Sequence, residues 1–369
     1  MKKFNGFANK GEWSEFYAFL KILEQKKLSA ANQDLEITDE GSFVFCKIIR
    51  VEDGLTKIYD ISNPLSDIVI TDQNGVVLKQ ISSDGLKLKT LKIFEKIKNG
   101  KVVEGKRGAF RIEEAEEMMQ EFLCLSVKAG NGKKSDIVAI IQDRIKEAEP
   151  QLGFSVKSMI GGSSTLFNAS QDTNFIFKVT GFSGDIKKVN SIKTKSKIRD
   201  RLSKIISSGG QLSFVSVAGE KFDTNLRNID SSFPKIMAQM LMEFFLGKGS
   251  LLSDLVKILA ENEVLKKEFG SSVLGYEIKM KRFLDAAALG MVSNTEWNGL
   301  SEAQGGYIVV KDNGEVVCYH LYNRDKFSSY LYKNTKLETA SSTRHKFGVL
   351  YENGGELFFN LNLQVRFVK

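Results

Sequence analysis

Three Asn-Gly pairs, Asn74-Gly75, Asn313-Gly314 and Asn353-Gly354, each stand between two short apolar runs. Asn-Gly accepts the positive φ angles of a tight hairpin turn. The stretches "DIVITDQNGVVLKQI", "GGYIVVKDNGEVVCYHLY" and "FGVLYENGGELFFNLNLQVRF" therefore read as antiparallel strand pairs near both ends of the chain. Helical periodicity appears in "EWSEFYAFLKILEQKK" (Glu12 to Lys27), "LKTLKIFEKIKNG", "RIEEAEEMMQEFLCLSV" and a block from about Pro234 to Met291. No repeat of fixed period is present. Strands and helices without regular βαβ alternation define a mixed α/β class of α+β character.

Only three prolines occur in 369 residues, so no Pro-rich linker separates independent domains. A chain of this length can bury a real core, as one elaborated domain or as two to three modules. The cysteines Cys46, Cys124 and Cys318 are odd in number and far apart, which speaks against a disulfide framework and for a reducing cytoplasm. The start "MKKFNGFANKGEW" has no apolar h-region, and the longest apolar run, "IMAQMLMEFFL", is too short for a bilayer. Neither a signal peptide nor a membrane span is expected.

Lys and Arg number 53 against 45 Asp and Glu, a net charge of +8. Clustering says more than the total. "KKVNSIKTKSKIRDRLSK" (Lys187 to Lys204) carries eight basic side chains against the single acid Asp200. A solvated helix face explains many such runs, but this imbalance exceeds what ion pairs within a helix would leave. A phosphate-facing surface is the better reading, with Lys195, Lys197 and Arg199 at its centre.

Chemistry concentrates in "SDIVAII" and "GFSVKSMIGGSSTLFNAS". Asp136 immediately precedes a five-residue apolar run that reads as a buried strand. Ser155 and Lys157 share one face of a second strand, with Phe154 and Val156 on the other. An acid at the start of one strand and a lysine on its neighbour can converge. The carboxylate can hold a divalent cation through oxygen, and the ammonium can orient water or offset charge on a phosphate. On the first helix, Glu12, Phe16, Phe19 and Leu23 form one stripe, with Glu15 beside Ile22 at its edge. An acid beside a buried stripe needs a partner or a cation, although the helix dipole also favours a carboxylate there. Either glutamate can serve, and Glu15 ranks ahead of Glu12.

Other chemistries are disfavoured. Two histidines, His320 and His345, are too few for a histidine-rich nuclease, and no HExxH or Cys/His zinc spacing exists. No GxSxG elbow is present, and the glycine clusters around Gly130 and Gly161 lack the GK[ST] ending of a P-loop.

The stretches "NKGEWSEFYAFLKIL", "SDIVAIIQD", "GFSVKSMIGGSSTLFNAS", "GGYIVVKDNGEVVCYHLYNR" and "NTKLETASSTRHKFG…LNLQVRF" resemble, in order, the HpaII family of type II restriction endonucleases. The likeness runs from about Asn9 to Phe367 and is least clear between Leu35 and about Lys101. It implies a PD-(D/E)XK nuclease core, a central mixed sheet flanked by helices, with additional strand-rich and helical elements. On that basis residues 1–34 hold the first core helix and 35–110 a strand-rich segment of unassigned role. Residues 111–232 would be the nuclease core with the basic stretch, 233–292 a helical block, and 293–369 a strand-rich DNA-recognition region.

The resemblance matches Asp136 to the motif's first acid, Lys157 to its lysine, and Glu15, or alternatively Glu12, to the carboxylate of the first helix. Ser155 stands where this fold usually has a second acid. A hydroxyl brings no charge, so a carboxylate must come from the helix pair or, more weakly, from Asp143; one Mg2+ is favoured over two. The resemblance further implies double-stranded DNA as substrate, CCGG as recognition sequence, methylation as its block, a cognate methyltransferase and a homodimer on the palindrome. The polar segment from Arg324 to Lys346, read as loop-rich, offers Arg324, Lys326, Lys336, Arg344 and His345 for DNA contact. Arg344 and His345 are the candidate base readers, since arginine can bond guanine O6 and N7 together. Asn168 is a weaker candidate near the cleaved bond. A DNA-binding protein without catalysis, using the basic segments alone, is the alternative, and a nuclease for flexible or branched DNA a further one.

Overall fold

The computed structural model describes residues 6–63, 67–101, 108–130, 135–142, 149–270, 272–301, 303–320 and 324–368. Two compact units emerge, one from residues 1–164 and 301–327, the other from 165–300 and 328–368.

The first unit opens with α1 (Lys10–Gln25). Asn9 accepts from the Glu12 N–H at 3.0 Å while the Glu12 carboxylate accepts from the Asn9 N–H at 2.8 Å, a reciprocal cap that sets where the helix begins. Trp13, Phe16, Phe19, Leu20 and Leu23 are all buried along it. The strands β1 (Lys27–Ala31), β2 (Ile37–Glu52), β3 (Leu55–Asp60), β4 (Ile68–Asp72) and β5 (Val77–Ile81) follow. Next come α2 (Leu86–Asn99), α3 (Glu113–Glu121), β6 (Ile137–Ile141) and β7 (Gln151–Ser158). The chain returns to this unit with β11 (Gly306–Val310) and β12 (Val316–His320). The segment 35–110, without a role in the sequence reading, thus supplies strands to the same sheet as β6 and β7.

That sheet has the order β1-β12-β11-β7-β6-β2-β3-β4-β5, with parallel and antiparallel pairs, and β1 pairs additionally with β2. Its first six strands therefore close into a ring, a feature absent from the sequence reading. The 16-residue β2 makes closure possible. Its first half lies against β1, with Leu28 opposite Phe43, and its second half lies between β3 and β6, with Ile48 opposite Tyr59 and Ala139. Phe43 and Phe45 of β2, Phe154 of β7 and His320 of β12 come from strands that are not neighbours. Their rings nevertheless form a chain, Phe43 to His320 at 5.0 Å, His320 to Phe154 at 6.2 Å and Phe154 to Phe45 at 5.6 Å, so they meet across the ring's interior. Gly305, entering β11, leaves room for Phe154, whose ring would sit 2.6 Å from any Cβ there.

At the far end of β2 three charges are buried together. Glu52 takes Arg50 Nη2 at 2.8 Å and Lys57 Nζ at 2.9 Å, with Arg50, Glu52 and Lys57 only 4, 4 and 7% exposed. The same carboxylate accepts the N–H groups of Leu125 and Ser126 at 3.0 and 3.2 Å, and Arg50 donates to Ser126 O and Val127 O. Burial alone would raise the Glu52 carboxyl, but Arg50, the Leu125 N–H and Lys57 together hold it below its usual range.

The second unit contains β8 (Thr165–Phe167), β9 (Asn174–Thr180), α4 (Ile186–Asn190), α5 (Lys197–Ser207) and β10 (Gln211–Val217). A helical run follows: α6 (Glu220–Ile229), α7 (Phe233–Phe245), α8 (Leu252–Glu261), α9 (Glu263–Phe269) and α10 (Val273–Leu289). After α11 (Arg324–Lys333), which spans the division, come β13 (Thr335–Leu337), α12 (Ser342–His345), β14 (Leu350–Asn353), β15 (Glu356–Asn362) and β16 (Val365–Phe367). They build two antiparallel sheets, β10-β9-β15-β14 and β13-β16-β8.

Two expectations need correction here. The segment from Arg324 to Lys346 is not loop-rich, for α11, β13 and α12 occupy most of it. Within the basic stretch, Arg201 is buried and donates to Gly348 O, Asn190 O and Ile192 O at 2.6, 2.7 and 2.9 Å. It tethers loops to α5 and does not face phosphate. All three Asn-Gly turns appear as hairpin turns, with Gly75, Gly314 and Gly354 at φ of 83, 87 and 59°. The three cysteines are free and buried.

Removing one member of a fully paired buried cluster strands the others. Glu52→Gln is therefore expected to destabilise the protein by about 3 to 5 kcal/mol, measured as a lowered midpoint of denaturant unfolding.

Candidate active site

The antiparallel pairing of β6 and β7 sets Ile137 opposite Phe154, and the Asp136 N–H reaches Phe154 O at 2.9 Å. Asp136, just ahead of β6, thereby lies beside the middle of β7. Its Oδ2 accepts the Val156 N–H at 2.7 Å and the Ser155 hydroxyl at 3.1 Å. Ser155 is thus a donor that orients Asp136, which fits a hydroxyl at a position where a second acid would repel it.

Lys157 follows on β7, next to β11, with its Nζ 5.2 Å from the centre of the Tyr307 ring. Burial lowers its pKa, while Asp136 and Glu15 pull the other way and Lys128 adds to the lowering. The first helix packs across this strand, where Ser14 Oγ donates to Ser158 Oγ at 2.8 Å. The next residue of the same helix, Glu15, presents its carboxylate to the site. Its pKa is raised to about 7, first by burial and then by Asp136, with Glu12 adding a little and Lys128 opposing. Lys128 Nζ lies 3.3 Å from Glu15 Oε1.

Glu15 of α1, Asp136 just ahead of β6, and Ser155 and Lys157 of β7 thus come to one place. Between the two helix carboxylates the geometry discriminates: Glu12 is engaged in capping α1, and Glu15 is the one that senses Asp136. Asp143 lies outside the described residues. Lys128 and Tyr307 belong to the same cluster and escaped the sequence reading. Lys128 sits in a connection with no local pattern to mark it, whereas Tyr307 follows from the β7–β11 register. Among the described residues no group of three or more His, Cys, Asp or Glu is arranged to hold a metal. Two carboxylates and a hydroxyl remain, an oxygen-only set suited to a hard cation.

The expected DNA-contacting residues lie apart from this cluster in the chain. Lys195, Lys197 and Arg199 line a cavity of about 390 Å³ in the second unit, together with Phe244 and Thr343. None of its lining residues is acidic. Arg344 is exposed on α12 and His345 half-buried, its imidazole pKa lowered by burial and by Arg344. Lys336 on β13 stands 3.6 Å from Glu338, Asn168 is exposed after β8, and Arg324 and Lys326 lie on α11. No helix among the described residues is long and apolar enough to cross a membrane.

A half-buried carboxylate beside a second acid, with a lysine of depressed pKa on the adjoining strand, is a side-chain set of the kind that hydrolysis of a phosphodiester can use. The chain belongs to the HpaII restriction endonuclease family, which matches residues 9–367. It is 35% identical over 361 residues to the type II restriction enzyme HpaII of Haemophilus parainfluenzae, covering 98% of both chains. It is accordingly a type II restriction endonuclease. No solved structure matches it.

The raised Glu15 pKa makes a stability prediction whose sign can be worked out. In the unfolded chain Glu15 ionises near 4.5, and in the fold near 7. The folded state therefore holds the proton longer, and stability falls as pH rises between those values. In chelator at pH 8, Glu15→Gln is expected to raise stability, on the order of 2 kcal/mol, and to match the parent at pH 4. Thermal unfolding at the two pH values measures it.

Proposed function

We propose that the enzyme hydrolyses phosphodiester bonds of double-stranded DNA at CCGG, with Mg2+, using a PD-(D/E)XK-type centre formed by α1, β6 and β7. The observation that carries this reading is the convergence of Glu15, Asp136 and Lys157 around Ser155. The specific sequence is the one expected of the family, and the 35% identical relative is itself named HpaII.

Asp136 and Glu15 would hold the ion. Their mutual repulsion, visible in the Glu15 pKa, is the kind of cost a divalent cation relieves. When bound, the ion supplies positive charge against the scissile phosphate and makes water more acidic. Ser155 and the Val156 N–H keep Asp136 aimed by bonding the same oxygen. Lys157, its pKa lowered by burial over Tyr307, is placed to take a proton from the attacking water or to face the charge growing on phosphorus. The expected products carry 5′-phosphate and 3′-hydroxyl ends.

The second unit would grip the duplex through Lys195, Lys197 and Arg199, which converge on the acid-free cavity. Arg344 and His345, which follow Thr343 on the short helix α12, would read bases, with Lys336, Arg324 and Asn168 in supporting contacts. Two copies would address the palindrome, and a methyltransferase would protect the host sites.

Asp136→Ala and Lys157→Ala are each expected to retain DNA binding and to cut about 10²- to 10⁴-fold more slowly, measured on plasmid DNA with Mg2+. Sequencing the cut ends tests the specificity in the same assay; a smear in place of discrete bands would overturn site-specific cutting at CCGG. Replacing Lys195 or Lys197 with Ala should weaken binding across sequences and reduce the salt slope by about one.

A further inference from the structure

One charged residue at the candidate centre has no part in the hydrolysis outlined above. Lys128 enters it from the connection between α3 and β6, and its backbone is held on both sides. Before it, Leu125 and Ser126 donate their N–H groups to Glu52, and Ser126 O and Val127 O accept from Arg50. At its own carbonyl, Lys128 O accepts the Ser126 hydroxyl. After it, the Gly130 N–H donates to Val51 O at 2.7 Å. Arg50, Val51 and Glu52, one tripeptide at the end of β2, supply these bonds to Leu125, Ser126, Val127 and Gly130. Because Arg50 and Glu52 are buried and satisfy each other, the anchor is stiff.

The held segment delivers an ammonium to Glu15, 3.3 Å away, while half of the Lys128 side chain stays in solvent. Lys128 also feels Asp136, and its own pKa is raised against the opposing effect of burial. A cation seated on one of two carboxylates that would hold a divalent ion must compete with that ion.

We propose that Lys128 is an internal counter-ion, pinned by the Arg50–Glu52 pair, that occupies Glu15 in the ion-free enzyme and sets how readily a divalent cation loads. The proposal rests on the reading of Glu15 and Asp136 as the ion's ligands. It makes Lys128 a positioning residue, and it assigns to the strand-rich segment before Lys101 a role in tuning the centre.

The test is Mn2+ binding to the full-length protein without DNA, followed by electron paramagnetic resonance of the free ion. Lys128→Met is expected to bind Mn2+ about 2- to 5-fold more tightly than the parent, the size of one part-exposed ion pair, while Lys128→Arg stays close to the parent. Unchanged or weaker binding by Lys128→Met overturns the proposal. Glu15→Gln separates the two levels. If Glu15→Gln loses Mn2+ binding but Lys128→Met is unaltered, only the counter-ion role falls. If Glu15→Gln binds as the parent does, the assignment of Glu15 as a ligand falls, and the counter-ion role with it.

Discussion

The backbone register between β6 and β7 determines what can happen at this centre. With Ile137 opposite Phe154, the acid just before β6 lands beside Ser155 and Val156, and both donate to one of its oxygens. A slip of one residue would turn Ser155 and Lys157 to the opposite face and bring Phe154 out of the ring's interior. The parallel β7–β11 register extends the same constraint, since it brings Tyr307 alongside Ser155 and within reach of the Lys157 ammonium. Aromatic packing inside the ring, through Phe45, Phe154 and His320, secures the register from the other side of the strand.

Buried charge is used in two contrasting ways within the first unit. Arg50 and Lys57 both pair with Glu52, whose carboxylate also takes the Leu125 and Ser126 N–H groups, so the buried acid is compensated on every side that the bonds reach. Glu15 and Asp136 face two lysines, one of them with a depressed pKa, and burial, with Asp136 beside it, raises the Glu15 pKa to about 7. Stability is thus given up where chemistry is expected and recovered one strand away.

What could be read in the sequence was local. The Asn-Gly turns, the helical period from Glu12 onward and the alternation around Lys157 are all set by neighbours within a few residues, and the structure reproduces them. Ring closure was not legible, because β1 meets β12 from almost the other end of the chain, and no short pattern encodes such a pairing. The segment after Arg324 was misread because its polar composition drew attention from Phe327, Tyr330 and Leu331, buried residues at helical spacing. Arg201 shows the limit of counting charges, for a run of basic residues does not reveal which member is spent on carbonyls inside the protein. Lys128 was invisible for a related reason: its partner lies on a distant helix.

The return of the chain to the first unit has a consequence for synthesis. Strand β7 acquires its outer neighbour only with Gly306 to Val310, and the ring is sealed only with β12. A nascent polypeptide that has already emerged through residue 164 holds Glu15, Asp136 and Lys157, yet lacks the tyrosine beneath the lysine and the strand that shields it. The ribosome must deliver most of the message before Lys157 gains that ring and β7 its second neighbour, so the candidate centre is completed late in synthesis.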